Sequence, residues 1–158
     1  MFSKVLFISA TLLGSITLGV SAQDYDSDPT YGSARLSGGF LPDPHTITVQ
    51  AGGSIDASES IGGSCVGNIS QAPDYRINFT PGSQPLIISV DSAYDTTLVI
   101  NNPDGQWFCD DDSGNSRSHN PSIRFNNPES GQYDIWIGTY NSDLTPNAVL
   151  QISELSSR

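Results

Sequence analysis

Apolar and polar residues alternate with a period of two along most of this chain. Thr46-Ile-Thr-Val-Gln50 alternates strictly, and Tyr75-Arg-Ile-Asn-Phe79 places Tyr75, Ile77 and Phe79 on one face. Tyr133, Ile135 and Ile137 share a face opposite Asp134, Trp136 and Gly138. This is the period of a strand with one side on a core. Leu86 to Val90 is almost continuously apolar, which predicts a strand covered on both faces. Further strands are predicted at Thr97 to Ile100, at Trp107 to Cys109, around Ile123 and Phe125, and through Ala148, Leu150 and Ile152. The first two of these flank the turn Asn102-Pro103-Asp104-Gly105. No stretch of about 12 residues carries a helical period, and turn signals return roughly every 8 to 12 residues, the spacing of a sandwich or barrel. No repeat of fixed period is present. The expectation is an all-β protein, an antiparallel β-sandwich, with one domain over residues 34–158.

The N-terminus departs from this pattern. Lys4 precedes a run from Val5 to Val20 that is almost wholly apolar or small, and Val20-Ser21-Ala22 supplies small residues for cleavage before Gln23. Residues 1–22 therefore read as an export signal. Gly14, Ser15 and Thr17 interrupt the run, whereas a membrane span needs about 18 uninterrupted apolar residues. No stable membrane insertion is expected once the signal is removed. The mature chain, Gln23 to Arg158, has 136 residues, enough for one sizeable core. Residues 23–33 hold Asp24, Asp26, Asp28 and Pro29 with little to bury, and are expected as a flexible acidic lead-in.

Charge narrows the partners. The full chain has a net charge of −11, and loss of the signal leaves five Arg against 17 Asp and Glu. Without a basic footprint, nucleic acid and anionic lipid are excluded as partners. The acid is mostly Asp, whose short side chain favours turns over helix surfaces. Cys65 and Cys109 both survive cleavage. In an exported chain an even pair reads as a disulfide, worth on the order of 4 kcal/mol by chain entropy for a loop of this size. The alternative is a pair of free or metal-binding thiols.

Three patches carry candidate chemistry. Asp110-Asp111-Asp112 places three carboxylates in a row, which repel one another unless solvated or sharing a cation. Calcium takes six to eight oxygens, and Asp95, Asp104 and Asn115 would add ligands if their loops meet. The run is not an EF-hand, because Asn115 stands where that loop needs Gly and Pro121 where it needs Glu. The other reading is a solvated acidic turn. Trp107, Trp136 and Tyr140 form a second candidate site, suited to sugar rings or an extended polypeptide if exposed, and to a core if not. Ser113 with His45 or His119 offers the residue types of a hydrolase. Asp111 stands where the serine-protease signature has Gly, and both histidines read as surface residues. The sequons at Asn68 and Asn78 read as chance matches, and the Gly-Gly pairs lack the following helix of a phosphate loop.

Several of these landmarks occur together in one family. Pro73-Asp74-Tyr75, Asp95-Thr-Thr-Leu98, Pro103-Asp104-Gly105, Cys109-Asp-Asp111, Asn120-Pro121 and Gly131-Gln-Tyr-Asp-Ile-Trp136-Ile-Gly138 make the chain resemble the bacterial pre-peptidase C-terminal domain. Gly38-Gly-Phe-Leu-Pro-Asp-Pro44 and Gly52-Gly53 resemble the opening of stand-alone members. The resemblance implies an exported, jelly-roll-like β-sandwich without catalytic activity of its own. It also implies calcium in some relatives and fibrous protein as the ligand of related domains. The expected product is a periplasmic or extracellular accessory module, calcium-stabilised through Asp95, Asp104, Asp110, Asp111 and Asp112. Its partner is expected to be an envelope or extracellular polymer, protein or glycan. The alternatives are a peptidase-associated or structural envelope protein, and a hydrolase built on Ser113.

Overall fold

The computed structural model describes residues 23–114, 119–141 and 144–156, so the expected signal at 1–22 and the candidate ligand Asn115 lie outside the described residues. Two sheets pack face to face. One has seven strands: β1 (Ser33–Ser37), β3 (Ile55–Asp56), β4 (Asn68–Ile69), β5 (Tyr75–Thr80), β7 (Thr96–Asn101), β8 (Trp107–Asp110) and β10 (Gly131–Thr139). The other has four, β2 (His45–Gln50), β6 (Leu86–Asp91), β9 (Ser122–Phe125) and β11 (Asn147–Ser153), in the order β2-β11-β6-β9. From β5 onward the chain passes back and forth between the sheets, and only β7 and β8 form a hairpin there. That crossing makes the β-sandwich expected from the strand pattern, with the jelly-roll-like form that the resemblance implies.

The period-two faces meet in the core. Ile77 and Phe79 of β5, Leu98 and Ile100 of β7, and Tyr133, Ile135 and Ile137 of β10 turn inward from the larger sheet. Leu86, Ile88 and Val90 of β6, with Leu150 and Ile152 of β11, meet them from the smaller one. Phe125 packs edge-on against Phe108 and Tyr133, with ring centroids 5.0 and 5.4 Å apart. Leu86 to Val90 is buried at every position, as its continuous apolar run predicts.

A second, smaller core lies on the outer face of the seven-stranded sheet. The chain between β2 and β5 folds over that face, contributing β3, a single helical turn α1 (Ala57–Ser60) capped by Asp56, and β4. Ala57, Cys65 and Ile69 of this flap close over Val99 and Trp136. Gly138 permits the closure, because a Cβ there would lie 2.8 Å from the Asn68 carbonyl. A disulfide joins Cys65 to Cys109 on β8 and fastens the flap to the sheet.

Two details go beyond the strand pattern. The β1–β5 pair is parallel, so the sandwich is not wholly antiparallel. The segment at 23–33 is hydrogen-bonded to the chain just ahead of and at the start of β5. Asp24 accepts from the Asp26 and Ser27 amides and the Ser27 hydroxyl, which makes a local turn. The Thr30 and Tyr31 amides then donate to the carbonyls of Pro73 and Asp74. Gln23, only 4% exposed, donates to the Ser70 carbonyl. Turn-forming Asp and main-chain pairing hold this segment without a large apolar area, which is why a hydrophobicity pattern misses it.

Candidate functional site

The β7–β8 hairpin decides where the candidate carboxylates go. Asp95 precedes β7 and Asp110 ends β8, so an antiparallel pair brings them to one end of the sheet. Asp104 sits in the connecting turn, at the other end of a strand of six residues, roughly 20 Å away. The turn is held by Asn102, whose side-chain oxygen accepts from the amides of Asp104 and Gln106 at 3.1 and 2.8 Å. Asp104 instead faces Glu129, and a hydrogen bond between the two carboxyls with their mutual repulsion raises the pKa of Glu129. The expected convergence of Asp104 with the other four carboxylates is therefore corrected by the hairpin's own geometry.

Asp110 is committed to shaping its loop. It accepts from the Ser113 amide at 2.9 Å, the Ser113 hydroxyl at 2.6 Å and the Ser122 amide at 2.8 Å, stitching β8 to β9. Asp95, Asp111 and Asp112 remain near one another. Partial burial raises the pKa of Asp95, Asp112 and Asp111 push it further up, and His119 opposes them. Among the described residues, no three His, Cys, Asp or Glu side chains gather into a metal-holding group. Of the five candidate carboxylates, Asp104 therefore lies at the far end from the other four, and Asp110 accepts three hydrogen bonds within its loop.

Of the hydrolase residues, Ser113 and His45 are engaged elsewhere, while His119 precedes Asn120, whose carbonyl accepts from the Gly114 amide. The Ser113 hydroxyl donates to Asp110, not to an imidazole. His45 lies on β2 of the smaller sheet, its Nε2 3.0 Å from the Tyr75 hydroxyl, and burial lowers its pKa. His119 takes a left-handed backbone conformation, φ 54°, beside Asn120. Asn120 is fully buried. It accepts from the Thr96 hydroxyl at 2.7 Å and donates to the Ser92 carbonyl at 2.8 Å, which fixes the β6–β7 loop beneath the acidic end.

The three candidate aromatics go three ways. Trp136 is fully buried under the flap, which removes it from any binding surface. Tyr140 is 59% exposed at the acidic end, with its amide donating to the Asp95 carbonyl, and Tyr94 is exposed nearby in the β6–β7 loop. Trp107 is half-buried at the opposite end of β8, its ring centroid 5.3 Å from that of Trp136.

Sequence patterning misses one group beside Trp107. A groove of about 520 Å³ opens there on the outer face of the larger sheet, between the docked segment at Tyr25 and the β7–β8 turn. Strand register aligns Trp107, Asn101, Asp134 and Arg76 across β8, β7, β10 and β5. Direct cross-strand partners share a face. Arg76 pairs with Asp134 at 2.5 Å and its guanidinium holds the Tyr25 and Ser27 carbonyls. Gln132 donates to the other Asp134 oxygen at 2.8 Å. Asp134 stood out in the sequence only as a polar residue facing away from the core.

Compared with known proteins, no family model matches the chain, and no curated protein matches it. Solved structures similar to it include the pre-peptidase C-terminal domain of a collagenase from Bacillus anthracis, at 14% identity over 80% of this chain and 98% of that chain, with a TM-score of 0.41. Another is a periplasmic inhibitor of g-type lysozyme from Aeromonas hydrophila, at 14% identity over 80% and 98%, with a TM-score of 0.39. The fold itself rests on the strand pairing and burial described above.

Proposed function

We propose that this chain is an exported β-sandwich module that works by holding a partner, an envelope or extracellular polymer of protein or glycan, and breaks no bond. The observation that carries this reading is the Ser113 hydroxyl donating to Asp110 at 2.6 Å. A serine nucleophile needs its proton directed at a base. Here it is directed at a carboxylate that already accepts two backbone amides and holds the β8–β9 loop. The other support is spatial: His45 is engaged by Tyr75 in the opposite sheet. Calcium has no place in the loop's shape on this reading, because Asp110 supplies the shape through its own hydrogen bonds.

The test is turnover by the secreted protein on mixed peptide and ester substrates, alongside Ser113→Ala. The expected result is no turnover by either protein. Turnover by the wild type that vanishes in Ser113→Ala would sink the reading. The metal half is tested separately by melting the protein in calcium and in chelator. Superimposable curves are expected, and a calcium-dependent rise lost in Asp111→Ala or Asp112→Ala would restore the ion.

A further inference from the structure

The groove beside Trp107 combines three features of a site built for a polyhydroxylated ligand. The first is a supported aromatic platform. Trp107 is half-buried, and the fully buried Trp136 packs against it, so the ring is held in place before any ligand arrives. The second is a hydrogen-bonding side chain. Asn101 is 7% exposed and lines the groove, where its side-chain amide is accessible. An amide that opens into the groove offers donors and an acceptor to a group supplied from outside. The third is a prepared polar floor. Gln132 and Arg76 each hold one oxygen of Asp134, fixing its carboxylate at the centre of the row.

Chemistry selects the ligand class. The floor is made of side chains on the outer face of the larger sheet, so recognition there is by side chains. A net charge of −11 repels polyanions. The charge of Asp134 is already matched by Arg76, so a cation gains little there. A flat apolar ring beside amide and carboxylate groups suits the C–H face and the hydroxyls of a pyranose. The row from Trp107 to Arg76 covers three strand spacings, about 14 Å, and the exposed Tyr25 stands at its far end. We propose that this groove binds a neutral oligosaccharide, with Trp107 as the stacking platform and Asn101 and Gln132 as the hydroxyl partners. This deepens the holding function proposed above and rests on it.

Calorimetric titration of the intact secreted protein with cellotetraose, chitotetraose and maltotetraose tests the proposal. At least one is expected to bind. Trp107→Ala should weaken that binding about tenfold and Asn101→Ala about fivefold, whereas Trp107→Phe retains most of it. Tyr140→Ala, at the other end of the sandwich, should bind as the wild type does. Melting curves identify any variant that fails to fold, and Asn101→Ala carries the test if Trp107→Ala does. Two results overturn the groove: no binding of any of the three sugars up to about 10 mM, or binding unchanged in Asn101→Ala and Trp107→Phe together with any folded Trp107→Ala. Silence in the titration with no turnover removes the groove and leaves the holding function standing. Turnover lost in Ser113→Ala removes the holding function instead.

Discussion

At the scale of single residues, the buried polar groups are the most informative. Asn120 joins the Thr96 hydroxyl to the Ser92 carbonyl with no exposure of its own. Asn120→Ala leaves both partners unsatisfied in the interior, and an expected loss of roughly 2 kcal/mol follows, measurable by urea unfolding. Asp74 titrates near neutrality. It is 3% exposed, and burial raises its pKa to about 7 although the Ile137 amide donates to it at 2.7 Å. An unfolded Asp titrates near 3.9, so between these values the folded chain holds the proton more firmly than the unfolded one. Stability from this group is therefore complete below the lower value and falls as pH rises through the upper. The expected slope approaches about 1.4 kcal/mol per pH unit, and Asp74→Asn should flatten it. Equal slopes in the two proteins would contradict the assignment. The sequence shows these residues only as polar letters between strands. Burial that comes from long-range packing leaves no local period to read, and for the same reason Trp136 is equally consistent with a binding face and a core until the flap is seen.

At the scale of elements, the long strands were legible and the short ones were not. β5, β6, β10 and β11 carry enough residues to show alternation or continuity, and their core faces agree with the pattern. β3 and β4 have two residues each, too few for any period, and β1 is polar and sits at an edge. The flap was legible only through Cys65 and Cys109, whose bond closes a separation of 44 residues. Chain entropy assigns that closure on the order of 4 kcal/mol. Unfolding of the Cys65→Ser, Cys109→Ser double variant should show a loss of about that size, and a loss well under 1 kcal/mol would mean the flap holds itself. The hairpin turn depends on Gly131, with φ 143° and a would-be Cβ only 2.8 Å from Pro103 Cβ. Gly131→Ala is expected to cost on the order of 2 kcal/mol and to displace the turn that walls the groove. The acidic run suggested one five-carboxylate site. Strand direction divides it, because residues that flank a strand are neighbours in the sequence and opposite ends of the molecule in space.

At the scale of the whole molecule, the account is of a scaffold with two dissimilar ends. One presents Asp95, Asp111 and Asp112 beside the exposed rings of Tyr94 and Tyr140, and the other presents the Trp107 groove. Ser113 and His45 sit in separate hydrogen-bonded settings. On the function proposed above, such a molecule acts by attachment. The direct measurement is co-sedimentation of the secreted protein with insoluble, uncharged polysaccharide, scoring both protein in the pellet and new reducing ends in the supernatant. The account predicts protein in the pellet, displaced by soluble oligosaccharide, and a supernatant free of new ends. Protein left in solution would contradict the glycan-binding groove, and reducing ends that accumulate with time would contradict the holding function itself.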